Sequence, residues 1–482
     1  MVLIMRFFRS FFVLAFVVFL LGCQDTKKTP KHVNSQGEHG AQFSILSFTR
    51  DAHIPVPRVF NQQDARYQEF QRLYLDRPEE ALKQWLLGTE RFSRLSDGSE
   101  LHVERIPTPY AWVNGGVYRV SVGHPSQGGE GSGESYILKI APNQSRQELY
   151  NLWWVEKALS SQVEYLRSHA SQIHFRGSVD DAVIALPKFP HLYEYASFDI
   201  PAREGEPAQE LLAFVMDKVK GQGLHELNDV SHDTLTYYHA LGRGLGYLHA
   251  MTAVNPESPF EEWIAFSHND AHWGNIFVDP ADARVSLIDL DRISVSNQFK
   301  NDIFLSLFPQ LRGNLFNGFE YTINLGLQRF QQSSPELIPV AMNGWAENVR
   351  THMADQGLSD LSLELVGGLE QWRRYGYLIN FLNHDQSISI VRESRSFQVL
   401  SHLSDRVLSM TEGYLEAIPQ DRQHEVKAFY SKLCHESVND FLRQFSISFI
   451  LWRNPNFIEP HLRESFRRVF PDSLNRCLDA NF

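Results

Sequence analysis

His268-Asn269-Asp270-Ala271-His272-Trp273-Gly274-Asn275 is followed closely by Leu287-Ile288-Asp289-Leu290-Asp291. The surrounding stretch, FSHNDAHWGNIFVDPADARVSLIDLDR, reads as a polar loop and then two short strands. Phosphoryl transfer asks three things of a protein: a carboxylate to orient and deprotonate a hydroxyl, oxygen ligands for Mg²⁺, and a cation for the phosphate tail. Asp270 suits the first role. Asn275, five residues on, can return across a tight loop and offer an amide oxygen. Asp289 ends a Val-Ser-Leu-Ile run and supplies a hard carboxylate of the kind Mg²⁺ prefers. His268, Asp270 and His272 also have a His-x-Asp-x-His metal-site spacing, but that chemistry needs further ligands. The Asn and the Ile-Asp-Leu-Asp run suit phosphate chemistry better, and His268 and His272 read first as loop-forming residues.

Working outward, further landmarks fall in order. Asn114-Gly115-Gly116 precedes a β-rich piece, VYRVSV; LHVERI lies before it and SYILKI, carrying Lys139, after it. A helix is expected at about 145–167, strands at VIALPKF and LLAFVMDKV, and a helix from about Asp233 to Met251. His-x-Asp-x4-Asn followed by Ile-Asp-hydrophobic-Asp resembles the aminoglycoside phosphotransferase and choline kinase branch of the protein-kinase-like fold. That family's loop commonly reads His-Gly-Asp; Asn269 stands here in place of the Gly. The resemblance spans about residues 105–305. It implies an α+β, two-lobed fold with a small antiparallel β-rich N-lobe, a large helical C-lobe, and helical N- and C-terminal extensions.

The resemblance also implies roles, with ATP and Mg²⁺ as cofactors. Asp270 would be the catalytic base, Asn275 and Asp289 the metal ligands, and Asp291 a contact to a second metal. Lys139 would reach the α- and β-phosphates, with Gly115 and Gly116 in the loop over them. Backbone groups from Met216 to Lys218 would meet the adenine, and Asp302 would brace the catalytic loop. The glutamate partner of Lys139 is open between Glu148 and Glu156, with a slight preference for Glu148. The acceptor would be a hydroxyl on a small molecule or a protein.

The N-terminus reads as an address. Residues 1–22 carry Arg6 and Arg9 and then a short apolar run, which suits a signal peptide better than a membrane span. The run ends Leu20-Leu21-Gly22-Cys23, which resembles a bacterial lipobox and implies cleavage before Cys23 and its lipidation. Gln24 in place of Asp points by the same resemblance to the outer membrane, facing the periplasm or the cell surface. Residues 23–41 form a polar tether, 42–100 a helical extension, 101–220 the N-lobe and 221–482 the C-lobe with its extension.

Composition sets the limits. The chain has 482 residues, 43% of them hydrophobic, which supports substantial cores. Acidic residues outnumber Lys and Arg by 57 to 45, for a formal charge of −12, a poor balance for nucleic-acid binding. Three Cys exclude a disulfide-dense scaffold and a thiolate zinc cluster. Cys434 and Cys477 are either a disulfide or two free thiols. Two functions from different classes follow: a phosphotransferase, or a membrane-anchored binding scaffold that keeps a kinase-like fold without catalysis. The tension between them is the source of ATP outside the cytoplasm.

Overall fold

A computed structural model describes residues 56–60, 65–94, 100–107, 115–123, 134–142, 146–200, 209–224, 226, 232–308, 402–450 and 475–477, all within one unit spanning 41–482. The segments read as signal peptide and tether, with Cys23, lie outside the described residues, as do Asn114, most of the Gly/Ser-rich loop after β2 and residues 309–401.

Helices α1 (Ala65–Asp76) and α2 (Pro78–Leu87) open the described chain. Pro78 at the start of α2 needs no amide donor there, and Glu79 and Glu80 complement the positive end of the helix dipole. A short helix, α3 (Glu90–Ser93), leads into strands β1 (Glu100–Ile106), β2 (Gly116–Gly123) and β3 (Ser135–Pro142). After α4 (Arg146–Ser168) and α5 (Val179–Ala185) come β4 (Leu192–Ile200) and β5 (Gln209–Asp217). The five strands form one antiparallel sheet in the order β1-β2-β3-β5-β4. Residues 57–59 run beside the outer strand β4: Val59 N–H donates to the Ser197 carbonyl at 3.0 Å and Ser197 N–H to the Pro57 carbonyl at 2.8 Å.

The pleat sorts side chains onto two faces. Tyr136, Leu138 and Ile140 of β3 join Leu211, Ala213 and Val215 of β5 against Phe70, Tyr74, Leu82, Trp85 and Phe92 of the N-terminal helices. This cap is closed by edge-to-face aromatic pairs, such as Phe70 with Phe198 at 5.2 Å. The alternate residues, including Lys139, face the other way.

The second part is helical. It contains α6 (His232–Thr252), a two-residue strand β6 (Gln222–Gly223) before it, and β7 (Ala265–Ser267), β8 (Ile276–Asp279), β9 (Arg284–Leu287) and β10 (Ser294–Ser296) after it. Helices α7 (Phe299–Leu307), α8 (Leu403–Ala417) and α9 (Gln423–Ile450) complete it. The architecture is thus α+β and two-lobed. Gly242 and Gly246 of α6 lie against the backbone of α8, and Gly413 of α8 against that of α6. A methyl group at Gly242 would collide with the Met410 carbonyl, and one at Gly413 with the His239 carbonyl. The glycine-rich pattern of α6 is therefore a packing device.

One local expectation is corrected and one open alternative is settled. VIALPKF is not a strand. Its first residues lie in α5, where Ser178 and Asp181 form a reciprocal capping box and two acids occupy the first turn. Local capping overrides the β-branched residues there. The strand of this region is instead β4. Cys434 and Cys477 form a disulfide, with Cα atoms 5.2 Å apart, and Arg476 reaches Asp405 of α8 at 3.0 Å. No helix among the described residues is long and apolar enough to cross a membrane.

Candidate active site

The loop from His268 to Asn275 is held by its own polar groups. Its N–H groups at His268 and Asn269 both donate to the carboxylate of Asp302, each at 2.7 Å. Asp302 is fully buried on α7, and His249 Nε2 of α6 lies 3.5 Å from it. Two amide donors compensate a carboxylate that burial alone would penalise. His268 Nε2 lies 2.8 Å from the Ile288 carbonyl, and Asp270 N–H donates to Nδ1 at 3.3 Å. That pairing corresponds to a neutral imidazole protonated on Nε2. His268 therefore joins the loop to the strand end that carries Asp289.

Asn269 has φ 62°, a left-handed conformation in which Asn is better tolerated than other side-chain-bearing residues. Its side chain adds what a Gly lacks. Oδ1 accepts from Ser267 at 2.8 Å, and Nδ2 donates to the Arg292 carbonyl and the Ser294 hydroxyl, both at 2.8 Å. The departure from Gly thus keeps the backbone and ties the loop to β10. His272 is also structural: its N–H donates to the Asp270 carbonyl at 2.7 Å and its Nδ1 accepts from Gly274 N–H at 3.0 Å.

Asn275 is buried. Its Nδ2 donates to the Asp270 carbonyl at 3.0 Å, and its own carbonyl accepts from Ile288 N–H at 3.0 Å. The loop thereby closes on itself and onto the Asp289 segment. Asp289 has φ 61°, the same left-handed conformation, which Asp like Asn adopts more readily than most side-chain-bearing residues. It is aimed at Lys139, whose Nζ lies 3.3 Å from Oδ1.

Lys139 also donates to both oxygens of Glu148, at 2.8 and 2.6 Å. Glu156 is elsewhere, paired with His191 at 2.6 Å. Burial works against the Lys139 charge, but Glu148 and Asp289 outweigh it and hold the ammonium above its ordinary range. Burial pushes the Glu148 carboxyl up to about 7 against the pull of Lys139. Burial, then the neighbouring charges of Asp289 and Asp270, raise Asp291, while Arg292 and Lys139 pull it down. Carboxylate oxygens of Asp270, Asp289 and Asp291 lie within 4.8 Å of one another.

The remaining expected residues take separate places. Gly115 accepts from Arg105 Nη2 at 3.0 Å, and Gly116 begins β2 against the Arg105 and Tyr118 side chains. Met216 is half-buried and Lys218 exposed at the end of β5; between them Asp217 N–H already donates to the His191 carbonyl at 3.1 Å. Two contributors have no sequence motif. Asn151, buried one turn beyond Glu148, donates to the Leu290 carbonyl and so fastens α4 to the residue after Asp289. Its i+3 spacing from Glu148 on one helix face was the available signal. Arg292 lies beside Asp270 and Asp291, at 4.0 and 3.9 Å.

No family model matches this chain, and no curated protein matches it. Among solved structures it is similar to the crystal structure of an aminoglycoside-3'-phosphotransferase of type VIII. The match has 17% identity, covers 44% of this chain and 77% of that one, and has a TM-score of 0.25.

Proposed function

We propose that the protein is a Mg²⁺-dependent phosphotransferase that moves the γ-phosphate of ATP to a hydroxyl of a small molecule or protein. The supporting observation is the convergence of Lys139, Glu148, Asp270, Asp289 and Asp291, which come from both lobes, on one place. The donor set fits the metal: hard carboxylate oxygens, close enough to repel one another, with Asn275 tied by its Nδ2 to the Asp270 carbonyl on the same loop. Asn275 and Asp289 would hold Mg²⁺, with Asp291 as a further ligand. When bound, Mg²⁺ supplies neutralising charge to the phosphates.

The chain's own groups do the rest. Lys139, held by Glu148, presents its ammonium to the phosphate tail. Asp270 orients the acceptor hydroxyl and takes its proton as the oxygen attacks the γ-phosphorus. The new P–O bond forms as the bridging P–O bond to the β-phosphate breaks, and ADP leaves. Gly115 and Gly116 would lie in the loop over the phosphates, and the backbone from Met216 to Lys218 would meet the adenine. The test is ATP turnover by wild type and Asp270→Ala. Turnover that is lost in the variant supports the reading; equal turnover in both removes it.

The location belongs to the same proposal: an acylated Cys23 would hold the protein at the outer membrane. The Cys434–Cys477 disulfide supports an oxidising compartment. That compartment favours the second reading, a binding scaffold without catalysis, because ATP is scarce there. Calorimetry with Mg-ATP separates the two: folded protein that binds no nucleotide is the scaffold.

A further inference from the structure

Arg292 is fixed by its backbone and free at its tip. Its carbonyl accepts from Asn269 Nδ2 at 2.8 Å, so the loop holds its main chain in place. Its side chain is 64% exposed and folds back over the acidic site. Nη1 lies 4.0 Å from Asp270 Oδ1, and Nε lies 3.9 Å from Asp291 Oδ2. Both distances exceed hydrogen-bond range, so the guanidinium makes no forked, bidentate pair with either acid. It is a loose counter-ion shared between two carboxylates.

The charge balance explains its presence. Lys139 and Glu148 neutralise each other at 2.6 Å. Asp270, Asp289 and Asp291 then bring three negative charges into a space where their oxygens lie within 4.8 Å of one another. Arg292 offsets one of them. The remaining two equal the charge of one divalent cation. A cation entering the trio meets like charge from the guanidinium, which can swing into solvent without disturbing the loop.

We infer that Arg292 is a resident counter-ion of the acidic trio, displaced when a divalent cation enters, and that it holds the site's affinity for free metal down. This rests on the phosphotransferase reading only in taking Asp289 and Asp291, beside Asp270, as ligands of the cation. One consequence is that occupancy follows metal arriving with nucleotide phosphates, whose negative charge Arg292 attracts, more than free metal.

The experiment titrates Mn²⁺ into the full-length protein, followed by electron paramagnetic resonance, without nucleotide. Arg292→Ala is expected to bind Mn²⁺ roughly three- to tenfold more tightly than wild type, a gap that narrows at high salt as screening grows. Arg292→Lys, which keeps the charge, is expected to stay within about twofold. The rise in melting temperature on adding Mn²⁺ is expected to be larger for Arg292→Ala than for wild type. Equal or weaker binding by Arg292→Ala overturns the inference. Asp289→Asn separates the two levels. If it loses Mn²⁺ binding, the cation site stands whatever Arg292 does. If it binds as wild type does, the site itself fails, and the inference with it.

Discussion

The two faces of the five-stranded sheet differ by one residue of register: one is apolar under the helical cap, and the other sets Lys139 among apolar neighbours such as Phe214. On β3, Leu138 and Ile140 are sealed under the aromatic residues of α1 and α2, while Lys139 between them reaches Glu148 and Asp289. The capped face is apolar, tolerant of shape-conserving change and chemically silent. The other face places a buried ion pair beside three carboxylates. A strand can serve both because its side chains alternate, so the cap can be stiffened by packing while the other face keeps its charges.

Breaking the charged face gives the largest effect. Lys139→Met leaves Glu148 buried without its partner, forced to take up a proton or stay charged in the core, so stability is expected to fall by about 3–5 kcal/mol at neutral pH in chemical denaturation. The pH dependence has a definite sign. Burial pushes the folded Glu148 carboxyl up to about 7 from its ordinary 4.5, so between those values the folded state holds more protons. This group's contribution to stability therefore declines as pH rises from 4.5 to 7. In Lys139→Met the decline is expected to continue above pH 7, because the pull that lowers the carboxyl is gone. Urea midpoints below and above pH 7 check it; a difference from wild type that stays constant above pH 7 contradicts it.

The capped face should respond in stability alone. Leu138→Ala opens a cavity under the cap and is expected to cost about 2–4 kcal/mol, with Mg-nucleotide affinity unchanged in the folded protein. A matching loss of affinity would mean that the two faces are not independent. A smaller effect separates backbone from side chain in the loop. Asn269→Gly keeps φ but removes the bonds to Ser267, Arg292 and Ser294, and is expected to cost about 1–2 kcal/mol. Asn269→Ala loses the same bonds and adds left-handed strain, so its melting temperature should be the lower of the two.

The fold and the site were legible to different depths. The approach of Asp270, Asp289 and Asp291 was readable because the three stand at short spacings around one loop and one strand end. The two-lobed order was readable because β-rich pieces precede long helical patterns. β4 was missed because LYEYASFDI mixes polar residues into a half-covered strand, and VIALPKF was misread because its capping signal lies upstream at Ser178. Asn151 and Arg292 carried no motif. Asn151 works across 139 positions of sequence to reach the Leu290 carbonyl, a contact no local pattern encodes. The choice between Glu148 and Glu156 needed coordinates, since both lie on α4 and only one reaches Lys139.

Titration calorimetry of Mg²⁺ with a non-hydrolysable ATP analogue, on wild type and Asp289→Asn, tests the central claim most directly. The account predicts one nucleotide per wild-type chain, bound with Mg²⁺, and loss of the metal-dependent part of that affinity in Asp289→Asn. A well-folded wild-type protein that binds no nucleotide would contradict it.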